Sequence, residues 1–339
     1  MKYNIVYNED CLQGLKKLPD ECIDCVVTSP PYYALRDYGC EGQIELEETP
    51  QAYIDSLTEI FMEIYRVLKP TGTLWINIGD TYNGNKMGNT ETNKNKKVAE
   101  RNEFKKKIWH GAKQKDLIGI PWMLAFSLRD RGWYLRQDII WYKPNAMPES
   151  VKDRCTKSHE YIFLLTKSQK YYFDQEQIQE IATGYDGRKD VKYKGSTKYK
   201  DAHILPNNGV QSMAKNGHER WKFKNLQPKG QQPHSMHLRR ASGQQDYIYP
   251  VRNKRDVWTV NTKPDKNAHF AVYPEKLIEP CILAGCPYDG VVLDPFMGSG
   301  TTARVAKHFG RKYIGFELNK EYLAIIKHKT IIEEDLFAR

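Results

Sequence analysis

Val291-Val292-Leu293-Asp294-Pro295-Phe296-Met297-Gly298-Ser299-Gly300-Thr301-Thr302 runs from a short apolar stretch through a glycine-rich turn into a helical pattern. Strand, turn and helix start in that order are the repeating unit of an α/β sheet, and such sheets take nucleotide-like ligands in the crevice above the turn. Glycines at 298 and 300 let the backbone turn sharply and approach a ligand closely. Glu317 ends the next apolar run, Tyr313 to Phe316, where an acid can bind ribose hydroxyls. The third glycine of a dinucleotide fingerprint is missing, which argues against a dehydrogenase, and no Gly-Lys-Ser/Thr follows to grip a triphosphate. A ligand with a ribose and no phosphate fits, as S-adenosylmethionine does. Taken alone, the loop is also compatible with an ordinary tight connection.

The flanking residues keep the alternation of short apolar runs and helical patterns. A helix over Thr301 to Phe309 stops at Gly310, and another spans Pro274 to Ala284. In the first half, Ile23 to Val27 is a buried-strand run, and Pro50 to Lys69 carries an apolar stripe at helical spacing that stops at Lys69-Pro70-Thr71-Gly72. A strand Thr73 to Ile78, a helix near Pro121 to Asp130 and strands Gln137 to Tyr142 and Tyr161 to Thr166 follow. The stretch from about 168 to 256 is rich in Lys, Gln, Asn, Gly and His with few periodic apolar runs, and reads as a separate insertion facing DNA. No internal repeat is present.

With 339 residues the chain is one large domain with an insertion, or two domains. An apolar content of 40%, a charged content of 28% and a mean hydropathy of −0.70 exclude a membrane protein and a low-complexity chain. No run reaches the ~18 apolar residues of a span, and Met1-Lys2-Tyr3-Asn4 leads into no apolar signal region, so a cytoplasmic protein is expected. Seven cysteines, with Cys22-x-x-Cys25 lacking a second pair, read as reduced thiols rather than a disulfide framework or a metal site. The net charge of +10 is uneven. Residues 151–260 hold 21 Lys/Arg against 11 Asp/Glu, and 86–115 hold 10 against 3, which leaves the remainder acidic. Aromatics interleave with these cations, as in Arg220-Trp221-Lys222-Phe223-Lys224, a composition suited to phosphate contact and base stacking. For 86–115 a solvated loop is the equal alternative.

A second stretch with chemistry is Thr28-Ser29-Pro30-Pro31-Tyr32-Tyr33, directly after the strand Ile23 to Val27. Two prolines lack N–H groups and fix φ, so the carbonyls of Ser29 and Pro30 are preset acceptors. A hydroxyl and a carbonyl side by side can each accept a hydrogen from an exocyclic amino group while an adjacent aromatic ring stacks on the base that carries it, as in a flipped-base pocket. Alone, this too could be a proline-rich turn.

Together the two stretches resemble the S-adenosylmethionine-dependent amino-methyltransferases of DNA, with their (D/N/S)-P-P-(Y/F/W) catalytic loop and F-x-G-x-G cofactor loop. Ser29-Pro30-Pro31-Tyr32 precedes the basic middle and Phe296-x-Gly298-x-Gly300 follows it, the order of the permuted β group. The resemblance implies a Rossmann-like α/β sheet with helices on both faces, formed by 1–150 and 261–339, with 86–115 as a basic loop and 151–260 as an inserted target-recognition region. It implies Ser29, Pro30, Pro31 and Tyr32 as catalytic, and Asp10, Cys11, Asp294, Phe296, Gly298, Gly300, Thr301 and Glu317 as cofactor-binding, with no metal. Asp10 would accept from adenine, and His269 to Leu277 would approach the methionine moiety. Trp141-Tyr142-Lys143-Pro144-Asn145 resembles a family segment near the target base. Double-stranded DNA is the implied partner; a cognate restriction endonuclease, and monomer against homodimer, stay open.

Family members with Ser before Pro-Pro mostly act on cytosine, which favours N4-methylcytosine as product over N6-methyladenine. Pro280-Cys281 raises the alternative of a cytosine-C5 enzyme, whose nucleophile is a cysteine after a proline. There the cofactor loop precedes the cysteine, whereas Cys281 comes before the loop here, within a helical apolar pattern that suits a core thiol. A non-catalytic DNA-binding protein is the remoter alternative.

Overall fold

Ile23-Asp24-Cys25-Val26-Val27-Thr28 is β-branched or apolar at nearly every position, which suits a strand covered on both faces. In the computed structural model its Ile23, Cys25, Val26, Val27 and Thr28 are buried. The structure describes residues 1–34, 42–44, 46–84, 109–181, 237–238, 247–248, 251–262 and 273–337. Its strands, in chain order, are β1 (Ile5–Tyr7), β2 (Ile23–Thr28), β3 (Leu68–Ile78), β4 (Tyr134–Tyr142), β5 (His159–Thr166), β6 (Glu180–Ile181), β7 (His237–Leu238), β8 (Tyr247–Ile248), β9 (Val251–Arg252), β10 (Val257–Thr259), β11 (Val291–Asp294) and β12 (Lys312–Phe316).

Eight of these form one sheet in the order β1-β12-β11-β2-β3-β5-β4-β10. Neighbours are parallel except β5, which runs antiparallel to both β3 and β4. Helices Cys11–Lys16, Pro50–Val67 and Ile120–Asp130 pack together over one face, and helices Glu275–Gly285, Thr301–His308 and Lys320–Phe337 form the other layer. This is the Rossmann-like architecture with permuted motif order. β2 and β11 lie at opposite ends of the chain and side by side in the sheet.

The helix Pro50–Val67 begins where Thr49 Oγ1 accepts from Ala52 N at 3.1 Å, with Pro50 in the first turn where its missing N–H is harmless. It buries Tyr53, Ile54, Leu57, Phe61 and Ile64. The helix stops two residues before the expected Lys69, because the sheet captures Leu68 to Gly72. Ile23 pairs with Leu68, the ladder shifts, and Cys25 pairs with Thr73. Lys69 donates to Asp24 Oδ1 at 2.8 Å and fixes this corner.

The chain divides into a unit of Met1–Phe173 with Asp256–Arg339 and a second unit, Asp174–Arg255. The first contains β5 and β10, so the central sheet draws on 159–166 and 257–259, both within the 151–260 stretch assigned by sequence to target recognition. In the second, β6 pairs with β9, and Glu180 accepts from Arg252 at 2.9 Å and Arg255 at 2.6 Å. The basic run 193–224 and most of 86–115 lie outside the described residues, as does His269. Among the described residues no helix is long and apolar enough to cross a membrane.

Candidate active site

From β11 the chain moves outward to β12, and from β2 it moves the other way to β3. The crevice at the carboxyl ends of β11 and β2 is therefore the topological switch point, where open α/β sheets bind ligands. Asp294 closes β11 and Thr28 closes β2. Thr28 Oγ1 donates to Asp294 Oδ1 at 2.7 Å, joining the origins of the two sequence-predicted loops.

Asp294 is fully buried and serves as a hub. Its Oδ1 also accepts from Phe296 N at 3.1 Å, and its Oδ2 accepts from Thr302 Oγ1 at 2.5 Å and Tyr273 hydroxyl at 2.9 Å. Tyr273 also bonds Thr302. Burial pushes the Asp294 carboxyl above its ordinary range while the hydroxyl donors hold it down, and burial beside Asp294 drives the Tyr273 phenol well above 10. Both carboxylate oxygens are thus engaged within the protein.

On the cofactor side, Gly298 and Gly300 take φ of +53° and +84°, the left-handed region that favours glycine. An added Cβ at Gly300 would lie 3.0 Å from Ile326, whereas at Gly298 it meets nothing nearer than 3.9 Å. Gly298 N donates to Glu317 Oε2 at 2.7 Å and Asn319 N to Glu317 Oε1 at 2.8 Å. Burial pushes the Glu317 carboxyl up to about 7 despite these amides. Asn8 Nδ2 donates to the carbonyls of Glu317 and Leu318, and Glu317 N to Tyr7 O, which draws the end of β1 against the end of β12. Asp10 caps the helix Cys11–Lys16, accepting from Gln13 N at 3.0 Å. The Cys11 thiol is buried and pushed up to about 12, which leaves it inert. Thr301 starts the helix Thr301–His308, and Phe296 packs against the main core. Asp10, Cys11, Gly298 and Glu317 therefore converge at one edge. The group fits an adenosine-bearing ligand without phosphate, because it offers a carboxylate at the strand end and open space over Gly298.

On the other side, Ser29-Pro30-Pro31-Tyr32 leaves β2. Tyr53 hydroxyl donates to Pro31 O at 2.6 Å and pins the loop. The Tyr32 ring is partly exposed, but its hydroxyl turns inward and donates to Glu160 Oε2 at 2.7 Å, with Asn77 Oδ1 at 3.3 Å. Burial and the Glu160 charge push that phenol well above 10. Glu160 is also approached by Asn77 Nδ2 at 3.3 Å and forms an ion pair with Lys143 Nζ, which lies 4.1 Å from the Trp141 ring centroid. Behind the Tyr32 ring stands Gly79, where an added Cβ would come 2.7 Å from the ring edge. Lys157 donates to Asp80 O at 2.5 Å, and burial lowers its pKa.

Glu160, Asn77 and Gly79 were not singled out by sequence reasoning, whereas Thr28 and Tyr273 entered it only as members of the stretches Thr28 to Tyr33 and His269 to Leu277. Glu160 opens a strand that runs antiparallel to its neighbours, so its place beside Tyr32 depends on a strand direction that local pattern does not carry. Lys143 had a signal of the same kind, through the segment Trp141 to Asn145. Among the described residues no group of three or more His, Cys, Asp or Glu is placed to hold a metal ion.

A family model described as DNA methylase, for N6 and N4 enzymes, matches residues 23–328. The chain is 42% identical over 320 residues to the Type II methyltransferase M.Cfr9I of Citrobacter freundii, covering 94% of this chain and 85% of that protein. It is 40% identical over 323 residues to M.SmaI of Serratia marcescens, covering 95% and 89%. Among solved structures, the cytosine-N4-specific PvuII DNA methyltransferase superposes with a TM-score of 0.59 at 18% identity, over 96% of this chain and 85% of that one. A putative DNA modification methylase of Thermus thermophilus, complexed with S-adenosyl-L-methionine, gives 0.51 at 21% identity, over 96% and 91%. With a family match across nearly its whole length and Type II relatives at this identity, the chain belongs to the N6/N4 DNA methylase family and is an S-adenosylmethionine-dependent DNA methyltransferase.

Proposed function

We propose that the enzyme methylates the exocyclic N4 of a cytosine flipped out of duplex DNA. The observation that carries this reading is the short, uncharged Ser29 hydroxyl at the head of the Pro30-Pro31-Tyr32 loop, one residue after the Thr28–Asp294 link to the cofactor loop. A Ser hydroxyl suits the amino group of a small pyrimidine, whereas a longer carboxylate or amide would suit a purine. Ser29 and the Pro30 carbonyl accept the two amino hydrogens and favour the pyramidal, nucleophilic nitrogen, which is charge stabilisation in a pocket shielded from water. Tyr32 stacks on the base. Glu317 holds the ribose, Asp10 and Cys11 border the adenine, and Phe296, Gly298, Gly300 and Thr301 shape the bed of the methionine moiety. Asp294 acts from beneath. The bound cofactor supplies a methyl group on a sulfonium; the residues hold the amino nitrogen in line with it, an alignment that can contribute about 7–11 kcal/mol when well oriented.

Of the 151–260 stretch, the unit Asp174–Arg255, with 16 Lys/Arg against 8 Asp/Glu, carries target recognition in this reading. Non-specific binding then weakens with salt by about 0.9 in log–log slope per phosphate neutralised. The enzyme works in the cytoplasm on double-stranded DNA. Mass spectrometry of nucleosides from DNA methylated by the purified protein tests the product: N4-methylcytosine is expected, N6-methyladenine alone overturns the cytosine assignment, and 5-methylcytosine overturns the mechanism.

A further inference from the structure

A base stacked on a ring that tilts would carry its amino nitrogen off the line of the methyl group, so the plane of Tyr32 matters to the reaction. Its ring and its hydroxyl sit differently. The ring is partly exposed and lies over the end of β3, where an added Cβ at Gly79 would come 2.7 Å from its edge. The hydroxyl reaches past β3 to β5 and donates to Glu160 Oε2 at 2.7 Å, with Asn77 Oδ1 at 3.3 Å. A tether at the phenol oxygen fixes the long axis of the ring, and the contact with Gly79 limits rotation about that axis.

Glu160 is itself immobilised. Asn77 Nδ2 approaches its Oε2 at 3.3 Å and donates to Tyr161 O at 3.1 Å, while Lys143 pairs with Oε1. Lys143 Nζ lies 4.1 Å from the centroid of the Trp141 ring, whose Nε1 donates to Val260 O at 2.8 Å. The tether thus runs from Tyr32 into β3, β4, β5 and the residue after β10. Side-chain exposures of 15% and 17% put the Glu160–Lys143 pair largely out of water. Replacing such a pair with apolar residues of the same volume is often no loss of stability, so a defined geometry is the better account of it. What it defines here is a charged acceptor for the phenol, a stronger partner than a neutral one.

Building on the amino-methyltransferase reading, we propose that Glu160 is a positioning residue: it anchors the Tyr32 phenol and so fixes the plane on which the flipped base stacks. It touches neither base nor cofactor and acts through Tyr32. Tethering the ring in the free enzyme removes ordering that base binding would otherwise demand of it. Gly298 and Glu317 bond each other on the far side of the crevice, so cofactor binding does not depend on the tether.

The test uses the full-length enzyme under single-turnover conditions, with a duplex carrying the site mapped by sequencing DNA from cells that express it. Tyr32→Phe removes the tethered oxygen and leaves both the ring and the Glu160–Lys143 pair. Tyr32→Phe and Glu160→Ala should each slow methyl transfer by about tenfold, a cost in reach of a small misplacement of the base. Glu160→Gln, which keeps an acceptor for the phenol, should recover part of that loss. The double variant Tyr32→Phe/Glu160→Ala should be no slower than about threefold below the worse single one, because both changes cut the same tether. Cofactor affinity by calorimetry should stay within about threefold of wild type. A fluorescent analogue at the target position, pyrrolocytosine or, where the mapped base is adenine, 2-aminopurine, reads the stacking directly. Its single quenched lifetime in wild type should split into several in Tyr32→Phe and Glu160→Ala, which a loss of stability alone would not produce. An active wild type together with an unimpaired Tyr32→Phe, or single effects that multiply, overturns the positioning role alone. A wild type that methylates no exocyclic amino group overturns the parent reading and this role with it.

Discussion

On one side of the crevice, backbone amides of Gly298 and Asn319 converge on Glu317, with left-handed glycines setting the loop. On the other, Tyr32, Asn77, Lys143 and Glu160 meet through side chains drawn from four separate stretches of chain. The first side is built by main-chain geometry and resists change in any residue but glycine and the acid. The second is built by chemistry, and each of its members can be altered without refolding a loop. Asp294 and Thr28 join the two.

The strongest blow to this division is Asp294→Ala, which leaves up to four buried donors without their acceptor. At 1–3 kcal/mol for each unsatisfied group, less what Tyr273 and Thr302 recover from each other, about 3–5 kcal/mol of stability is lost. Urea denaturation reads this, and both cofactor affinity and turnover should fall. If only one falls, the joint is not shared. Ser29→Ala should slow turnover about a hundredfold, equivalent to roughly 2.7 kcal/mol, with cofactor affinity by calorimetry unchanged.

Glu317→Ala should do the reverse, weakening S-adenosylmethionine binding by about 2 kcal/mol through lost charged hydrogen bonds. Its titration adds a pH test. The folded carboxyl ionises at about 7 against an ordinary 4.5, so the folded chain retains a proton that the unfolded chain has released. Wild type should therefore lose stability relative to Glu317→Gln as pH rises from 4.5 through about 7, while ribose hydroxyls, which need an ionised acceptor, bind more tightly over the same window. Equal pH slopes in thermal melts of the two proteins would contradict this. The mildest change is Gly79→Ala, whose Cβ would press on the Tyr32 ring from 2.7 Å. A cost of about 1–3 kcal/mol is expected in turnover, with cofactor binding untouched.

The same division explains what could be read from sequence. The Asp294 to Thr302 loop and Glu317 were legible because turn chemistry is local: glycine appears where φ is positive, and the acid follows one strand later. Ser29 to Tyr32 was legible because consecutive prolines are rare and stiff. Glu160 and Asn77 were not, since their relation to Tyr32 is set by the order β2-β3-β5 and the reversed direction of β5. Strand cores at Ile23, Leu74 and Val292 showed as apolar runs. The ends did not: the sheet took Leu68 to Gly72, which propensity gave to a helix stop, because pairing with β2 outweighs a proline and a glycine at the edge of a strand. β1 and β10, three residues each, carry too little pattern to stand out.

The Thr28–Asp294 bond joins residues 266 positions apart. A ribosome adding about 5–20 residues per second therefore makes β2 on the order of ten seconds to a minute before its partner β11 exists. Through that interval one edge of β2 has no neighbour to cover it, and an uncovered edge invites pairing with other chains. The crevice cannot close until the final strands emerge, so no truncated product can hold a cofactor and a base together.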